Sequence, residues 1–190
     1  MSVQRQRSSA GCGSLTASIE AYAPGRHHAA RARFTVPALA SDREPPPGHL
    51  AISDLLLLDA ASARADSLPG DLAAALSLVR GSTTVVATGA LGLYWELYGL
   101  DPGGERVTTA LTVSPQHVGW LRRMTASLGV AGLPTPVRIE WTEVAGRTPR
   151  AGRAIAVNLA GIGSGDYEIE IRARTARSEA VARRRVHIVR

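Results

Sequence analysis

The stretch "GSGDYEIEIRARTARSEAVARRRVHIV", Gly163 to Val189, decides the fold. It reads as a β-hairpin that ends a domain. A gapless echo, "GSLTASIEAYAPGRHHAARARFTV", stands near the start, at Gly13 to Val36. There Leu15, Ala17, Ile19 and Ala21 alternate with Thr16, Ser18 and Glu20. After a Pro24-Gly25 turn, Ala30, Ala32, Phe34 and Val36 alternate with Arg31, Arg33 and Thr35. Both halves have the period of half-buried strands. A shift of 152 positions sets Gly13 on Gly165, Leu15 on Tyr167, Arg33 on Arg185 and Val36 on Ile188. Turn length and phase match together, which favours internal repetition over two chance amphipathic hairpins. Residues 13–47 are then expected to be a hairpin left from an upstream sandwich, followed by a proline-rich linker.

Working outward, residues 1–12 are polar and small and are expected to be disordered. "SDREPPPGH", Ser41 to His49, holds three prolines that cannot serve a strand ladder and marks the domain boundary. From residue 48 on, "LAISDLLLL" reads as one buried strand. "LPGDLAAALSLVRG" predicts a short helix with Asp71 near its start, Leu72, Ala75, Leu76 and Val79 on one side, and Gly81 as its stop. "TTVVAT" is a strand. "LGLYWELYGL" puts Leu91, Leu93, Trp95 and Leu97 on one face and Tyr94, Glu96 and Tyr98 on the other. "DPGGE" then turns the chain into the return strand "RVTTALTV". "SPQHVGWLRRMTASLG" predicts a second helix, capped by Ser114 with Pro115 in its first turn and Gly129 as its end. Trp120, Leu121, Met124 and Leu128 would share its apolar face. Four strands close the chain, one of them carrying Trp141.

Short strands, frequent turns and one or two short helices predict an all-β protein: an immunoglobulin-like antiparallel β-sandwich over residues 48–190, preceded by the extra hairpin. Tyr167, just after Gly165-Asp166, stands where a tyrosine corner would turn its hydroxyl onto the preceding loop. Tyr167, Trp95 and Trp141 are the expected structural aromatics.

The totals narrow the chemistry. A chain of 190 residues with 45% apolar content supports a packed core. The longest strongly apolar run, Leu55 to Leu58, is too short to span a bilayer. Cys12 is the only cysteine, which excludes an internal disulfide and cysteine-based zinc sites. "SAGC", Ser9 to Cys12, is similar to the end of a lipobox, but no apolar stretch precedes it. Net charge is +6, and all 22 basic residues are arginine. With few aromatic platforms, this bias fits a GC-rich genome better than a nucleic-acid-binding face.

No catalytic motif emerges, and the expectation is a protein that is not an enzyme. Glu96 and Glu140 could form a carboxylate pair for glycoside hydrolysis. The plainer reading pairs each with an arginine on a neighbouring strand. The Tyr94/Glu96/Tyr98 face is the candidate binding strip, for sugar or peptide. His27, His28, His49, His117 and His187 lack metal-ligand spacing, so no metal is expected. "GIGSGD", Gly161 to Asp166, leads into a strand rather than a helix, so it is a turn and not a phosphate loop. No cofactor is implied. Arg184 falls on the inward phase of the last strand, where it needs an acid such as Glu168 or Glu170, or an open edge.

"LAISDLLLLD", "LGLYWELYGL" and the closing "GDYEIEIRA…RRRVHIV" together resemble the C-terminal sandwich region of bacterial GWxTD-domain proteins. The name-giving motif is absent, since Gly119-Trp120 is followed by Leu121-Arg122. The resemblance implies an envelope-associated interaction or scaffolding module and carries no catalytic residues. A protein partner or self-association is expected; a small-molecule ligand is not identified. Location follows chain length: the envelope or periplasm for a piece of a longer exported protein, the cytoplasm for a complete chain.

Overall fold

The structure, a computed structural model, describes residues 15–23, 28–36, 45–59, 68–87, 89–116 and 136–190, the first two segments as backbone. The chain divides into two compact units, Met1–Glu44 and Pro45–Arg190.

In the first unit, strand β1 (Leu15–Ala23) pairs antiparallel with β2 (His28–Val36). The hairpin expected from the alternation is present. Its register, however, is not that of the closing hairpin. Leu15 faces Val36, so a strict repeat would set Tyr167 opposite Ile188, whereas Tyr167 faces Val186. The echo keeps the facing pattern but misses the register by two residues, because facing repeats every second residue and register does not. Residues 1–12 lie outside the described residues.

The second unit runs β3 (Ala51–Ile52), β4 (Leu56–Leu58), α1 (Leu72–Ser77), β5 (Thr84–Val86), β6 (Ala90–Tyr98), β7 (Arg106–Pro115), β8 (Val137–Val144), β9 (Arg150–Asn158), β10 (Gly165–Arg174) and β11 (Glu179–Val189). One sheet has the order β5-β11-β10-β7-β8. In the other, β6 is central, with β3 and β4 along one side and β9 along the other. This is an all-β sandwich with an immunoglobulin-like strand order. Its core joins Leu93, Trp95 and Leu97 of β6 to Leu111 of β7, Ile171 of β10 and Ile188 of β11. Each such side chain contributes about 1.5–3 kcal/mol on burial.

Several local expectations are corrected. The β5–β11 pair is parallel, so the sandwich is not wholly antiparallel. β6 and β7 do not form a hairpin. Asp101–Glu105 makes the expected turn, with Asp101 Oδ1 accepting from Gly103 N, but it carries the chain from one sheet to the other. The turn chemistry is compatible with both routes. Ser114 and Pro115 continue β7 opposite Glu168 and Tyr167, rather than starting a helix. The rest of that predicted helix, with Trp120, lies outside the described residues. In α1, Asp71 caps as expected and accepts from Ala74 N at 2.8 Å. The helix ends at Leu78, before Gly81, and only Ala75 is buried, while Leu72, Leu76 and Val79 are exposed.

"LAISDLLLL" is also not one regular strand. Ile52 faces Leu97 and Leu57 faces Leu93, so two residues, Asp54 and Leu55, stand opposite the single Trp95. This is a β-bulge. Ser53 stitches it: Ser53 N donates to Glu96 O, and Glu96 N donates to Ser53 Oγ, both at 2.9 Å. Strict alternation from Ile52 would aim Asp54 and Leu56 at the core. The extra residue instead exposes Asp54 and buries Leu55 and Leu57. Leu55→Ala is therefore expected to cost about 2–5 kcal/mol and Asp54→Ala less than about 0.5 kcal/mol in denaturant unfolding. The reverse ranking would show a regular strand.

Thr109, fully buried on β7, leaves its Oγ1 without a hydrogen-bond partner among the described residues. Replacing a buried unpaired hydroxyl with a methyl removes a desolvation penalty at nearly constant volume. Thr109→Val is expected to raise stability by about 1 kcal/mol, read as a higher denaturant midpoint. A drop would mean the hydroxyl is engaged in solution.

Candidate functional site

The face expected to carry Tyr94, Glu96 and Tyr98 exists, because β6 alternates as read. Yet Tyr94 is 1% and Glu96 6% exposed, and only Tyr98 reaches partly to solvent. The expected open strip is instead a covered polar cluster. Alternation fixes which residues share a face; it does not say what lies on that face. Here α1 and its approach lie there: Leu58, Ala75 and Tyr94 form a second apolar cluster flanked by Leu56, Leu78 and Ala154.

The neighbouring strands make room. Tyr94 stands beside Ala154 and Glu96 beside Gly152 across the β6–β9 pair. A Cβ on Gly152 would lie 2.5 Å from the Tyr94 hydroxyl and 2.7 Å from the Gly70 carbonyl oxygen. Glycine is required there by close approach of side chain and backbone together.

Within the cluster, Tyr98 donates its hydroxyl to Glu96 Oε2 at 2.6 Å and Tyr94 to Oε1 at 3.4 Å. Arg150 Nε lies 4.0 Å from Oε1. The expected arginine on a neighbouring strand is thus present as Arg150, although two tyrosines on Glu96's own strand lie closer. Both carboxylate oxygens are engaged. The arrangement holds α1 and the sheet together; it does not present a free base to a substrate. Burial, and then the Glu96 charge and hydrogen bond, push the Tyr94 hydroxyl up to about 12. Burial, the hydrogen bond to Glu96 and its charge do the same to Tyr98, also about 12.

Glu140 is on β8, in the other sheet, and its carboxylate binds Arg138 of its own strand at 2.8 Å. Trp95 and Trp141 meet inside the sandwich, with ring centroids 6.3 Å apart and planes at 57°. The residue adjacent to each tryptophan, Glu96 after Trp95 and Glu140 before Trp141, therefore points outward from opposite sheets. The two acids do not share a cleft. Arg153 of β9 and Glu143 of β8 form an ion pair between the sheets beside the tryptophans; the sequence reading missed it because charges on inward phases carry no mark of their partners.

Tyr167 is 8% exposed and belongs to the main core. A Cβ on Gly163 would lie 3.7 Å from its hydroxyl, which places the ring against the preceding loop. No hydrogen bond from that hydroxyl occurs among the described residues. Gly161 has φ of 92° and Ile162 N donates to Leu159 O, so "GIGSGD" is a turn into β10. His187 Nδ1 lies 2.7 Å from Asp166 Oδ1. Among the described residues, no group of three metal-binding side chains is present, and no helix is long and apolar enough to cross a membrane. His27 and His117 lie outside the described residues.

Comparison with protein-family models and with curated proteins gives no match to this chain.

The raised tyrosines set a pH signature. Their protonated forms are favoured by the fold, so their contribution is complete below about pH 10 and is lost as pH rises through about 12. Stability is expected to fall over that window, and Tyr98→Phe to make the fall shallower. Urea midpoints measured at successive pH values check this; a flat wild-type profile would mean the phenols are free.

Proposed function

We propose that the sandwich is a non-catalytic protein-contact module that receives a partner strand along β8, in a scaffolding role. The observation that supports this is the state of that edge. Among the described residues β8 ends the five-stranded sheet, and Val137, Ile139 and Val144 are 38%, 40% and 65% exposed. Val137 and Ile139 stand beside the buried Val113 and Leu111 on the inward phase. That face would be covered if the smaller sheet extended over it, but β9 ends the smaller sheet on that side among the described residues. An extended edge with apolar side chains offers main-chain groups for pairing and side-chain contacts for selection. The resemblance to GWxTD-domain proteins supports such a role, in a bacterial envelope assembly.

A photo-crosslinking residue at Ile139 tests the reading in source cells. A discrete crosslinked protein is expected from position 139 and not from Arg174, and it should vanish with Val137→Lys. Crosslinking that is equal at both positions, or absent from both, would overturn it.

A further inference from the structure

Sheet edges are commonly blunted by bulges, by proline or by charges that repel a second copy. β8 is not blunted in this way. Its register on β7 runs unbroken from Val144 opposite Arg106 to Val137 opposite Val113. Its exposed charges are of opposite sign: Arg138 and Glu140 stand on the outward phase and bind each other at 2.8 Å. Other strands differ. β9, an edge strand of the smaller sheet among the described residues, carries Arg150 and Arg153 and no acid. On the interior strand β11 the charges meet within the sheet: Glu168 and Glu170, the acids expected for Arg184, bind Arg183, and Arg184 is exposed.

The sequence of β8 is complementary to itself in one register. When a strand pairs antiparallel with its own copy, opposite residues lie on one face, so inward positions meet inward positions and outward meet outward. A two-fold axis at Glu140 would set Glu140 opposite Glu140 and Val137 opposite Glu143. An axis at Arg138 would set arginine opposite arginine. An axis at Trp141 would set Ile139 opposite Glu143 and Arg138 opposite Val144. Like charges directly opposite are destabilising. An axis at Ile139 avoids every such conflict. It sets Ile139 opposite Ile139, Val137 opposite Trp141 on the inward phase, and Arg138 opposite Glu140 on the outward phase, each mixed pair occurring twice by symmetry. Pro136, which has no N–H to donate, then closes the ladder just beyond Val137. The paired stretch is the part of β8 that includes the exposed Val137 and Ile139.

We propose that β8 pairs with β8 of a second copy of this chain, antiparallel about a two-fold axis at Ile139, so that two five-stranded sheets join edge to edge. The inference rests on the reading of β8 as a strand-addition edge and names the strand added. Hydrogen bonds along the edge supply attraction, and the alternating charges of Arg138 and Glu140 from the two copies select the register.

Sedimentation equilibrium of the purified full chain tests this, and a reversible dimer is expected. Arg138→Glu and Glu140→Arg, each at an exposed position, should weaken it at least about tenfold by setting like charges opposite each other. The double reversal Arg138→Glu/Glu140→Arg should restore it. A mixture of the two single variants should dimerise better than either alone, since each then meets its opposite charge. Circular dichroism checks that every variant keeps its strands. A chain that stays monomeric up to about 1 mM would overturn the proposal. So would a dimer indifferent to the single reversals or not rescued by the double one, because its contact would lie on another surface or in another register. The photo-crosslink at Ile139 separates this inference from the one it rests on. A monomer in solution with a different protein crosslinked in cells removes the second copy and leaves strand addition standing. A monomer with no crosslink at Ile139 removes both.

Discussion

Strand β6 must be buried on both faces, and the rest of the sandwich is arranged to do it. From Leu91 to Leu97 every residue of the strand is buried. One face is covered by the opposing sheet. The other needs α1, which is too short to be stable alone and persists because Ala75 packs against Tyr94 and Leu58. The strand is also hydrogen-bonded on both sides, so its backbone has no open edge. Such a strand reads as nearly continuous apolar sequence, which is how "LGLYWELYGL" is written.

The polar residues in that strand follow from the same constraint. A carboxylate carried onto a covered face must be satisfied, and Glu96 is satisfied by two phenols on its own strand. Its backbone N–H goes to Ser53 Oγ because the bulge takes the usual carbonyl partner away. Bulge, carboxylate and tyrosines thus form one connected network in which loss of any member leaves another buried polar group unpaired. The Arg153–Glu143 pair plays a comparable part on the inner side, tying the sheets at their open edge.

The sequence was most readable where local chemistry leaves one solution. The closing hairpin, the facing of β6 and the Asp71 cap follow directly from period and capping residues. It was least readable where a pattern fits two solutions. "DPGGE" serves a hairpin or a sheet-to-sheet crossing, and only the distant pairing of β7 with β10 decides. Ser-Pro before a polar stretch can open a helix or, as at Ser114-Pro115, end a strand. The polar pair Ser53-Asp54 inside an apolar run was the visible sign of the bulge, because alternation cannot pass through it without burying a charge. For the candidate site, the sequence placed Tyr94, Glu96 and Tyr98 on one face correctly. It could not show their cover, since of the expected α1 stripe of Leu72, Ala75, Leu76 and Val79 only the smallest member, Ala75, packs there.

The position of β11 governs how this unit can assemble. It is the last strand in the sequence, yet it lies inside its sheet, between β5 and β10. Ser178, at the head of its hairpin, accepts from Leu50 N and donates to the carbonyl of Gly48, joining the two ends of the sandwich sequence. A ribosome must therefore release nearly the whole unit before its larger sheet can close. Until then β5 and β10 have no shared neighbour, and their edges are open to wrong pairing. Contacts spanning this much chain also make closure slow. The arginines Arg183, Arg184 and Arg185 keep β11 itself charged from its emergence until it pairs, a form of protection that acts on the nascent chain rather than on the finished sandwich.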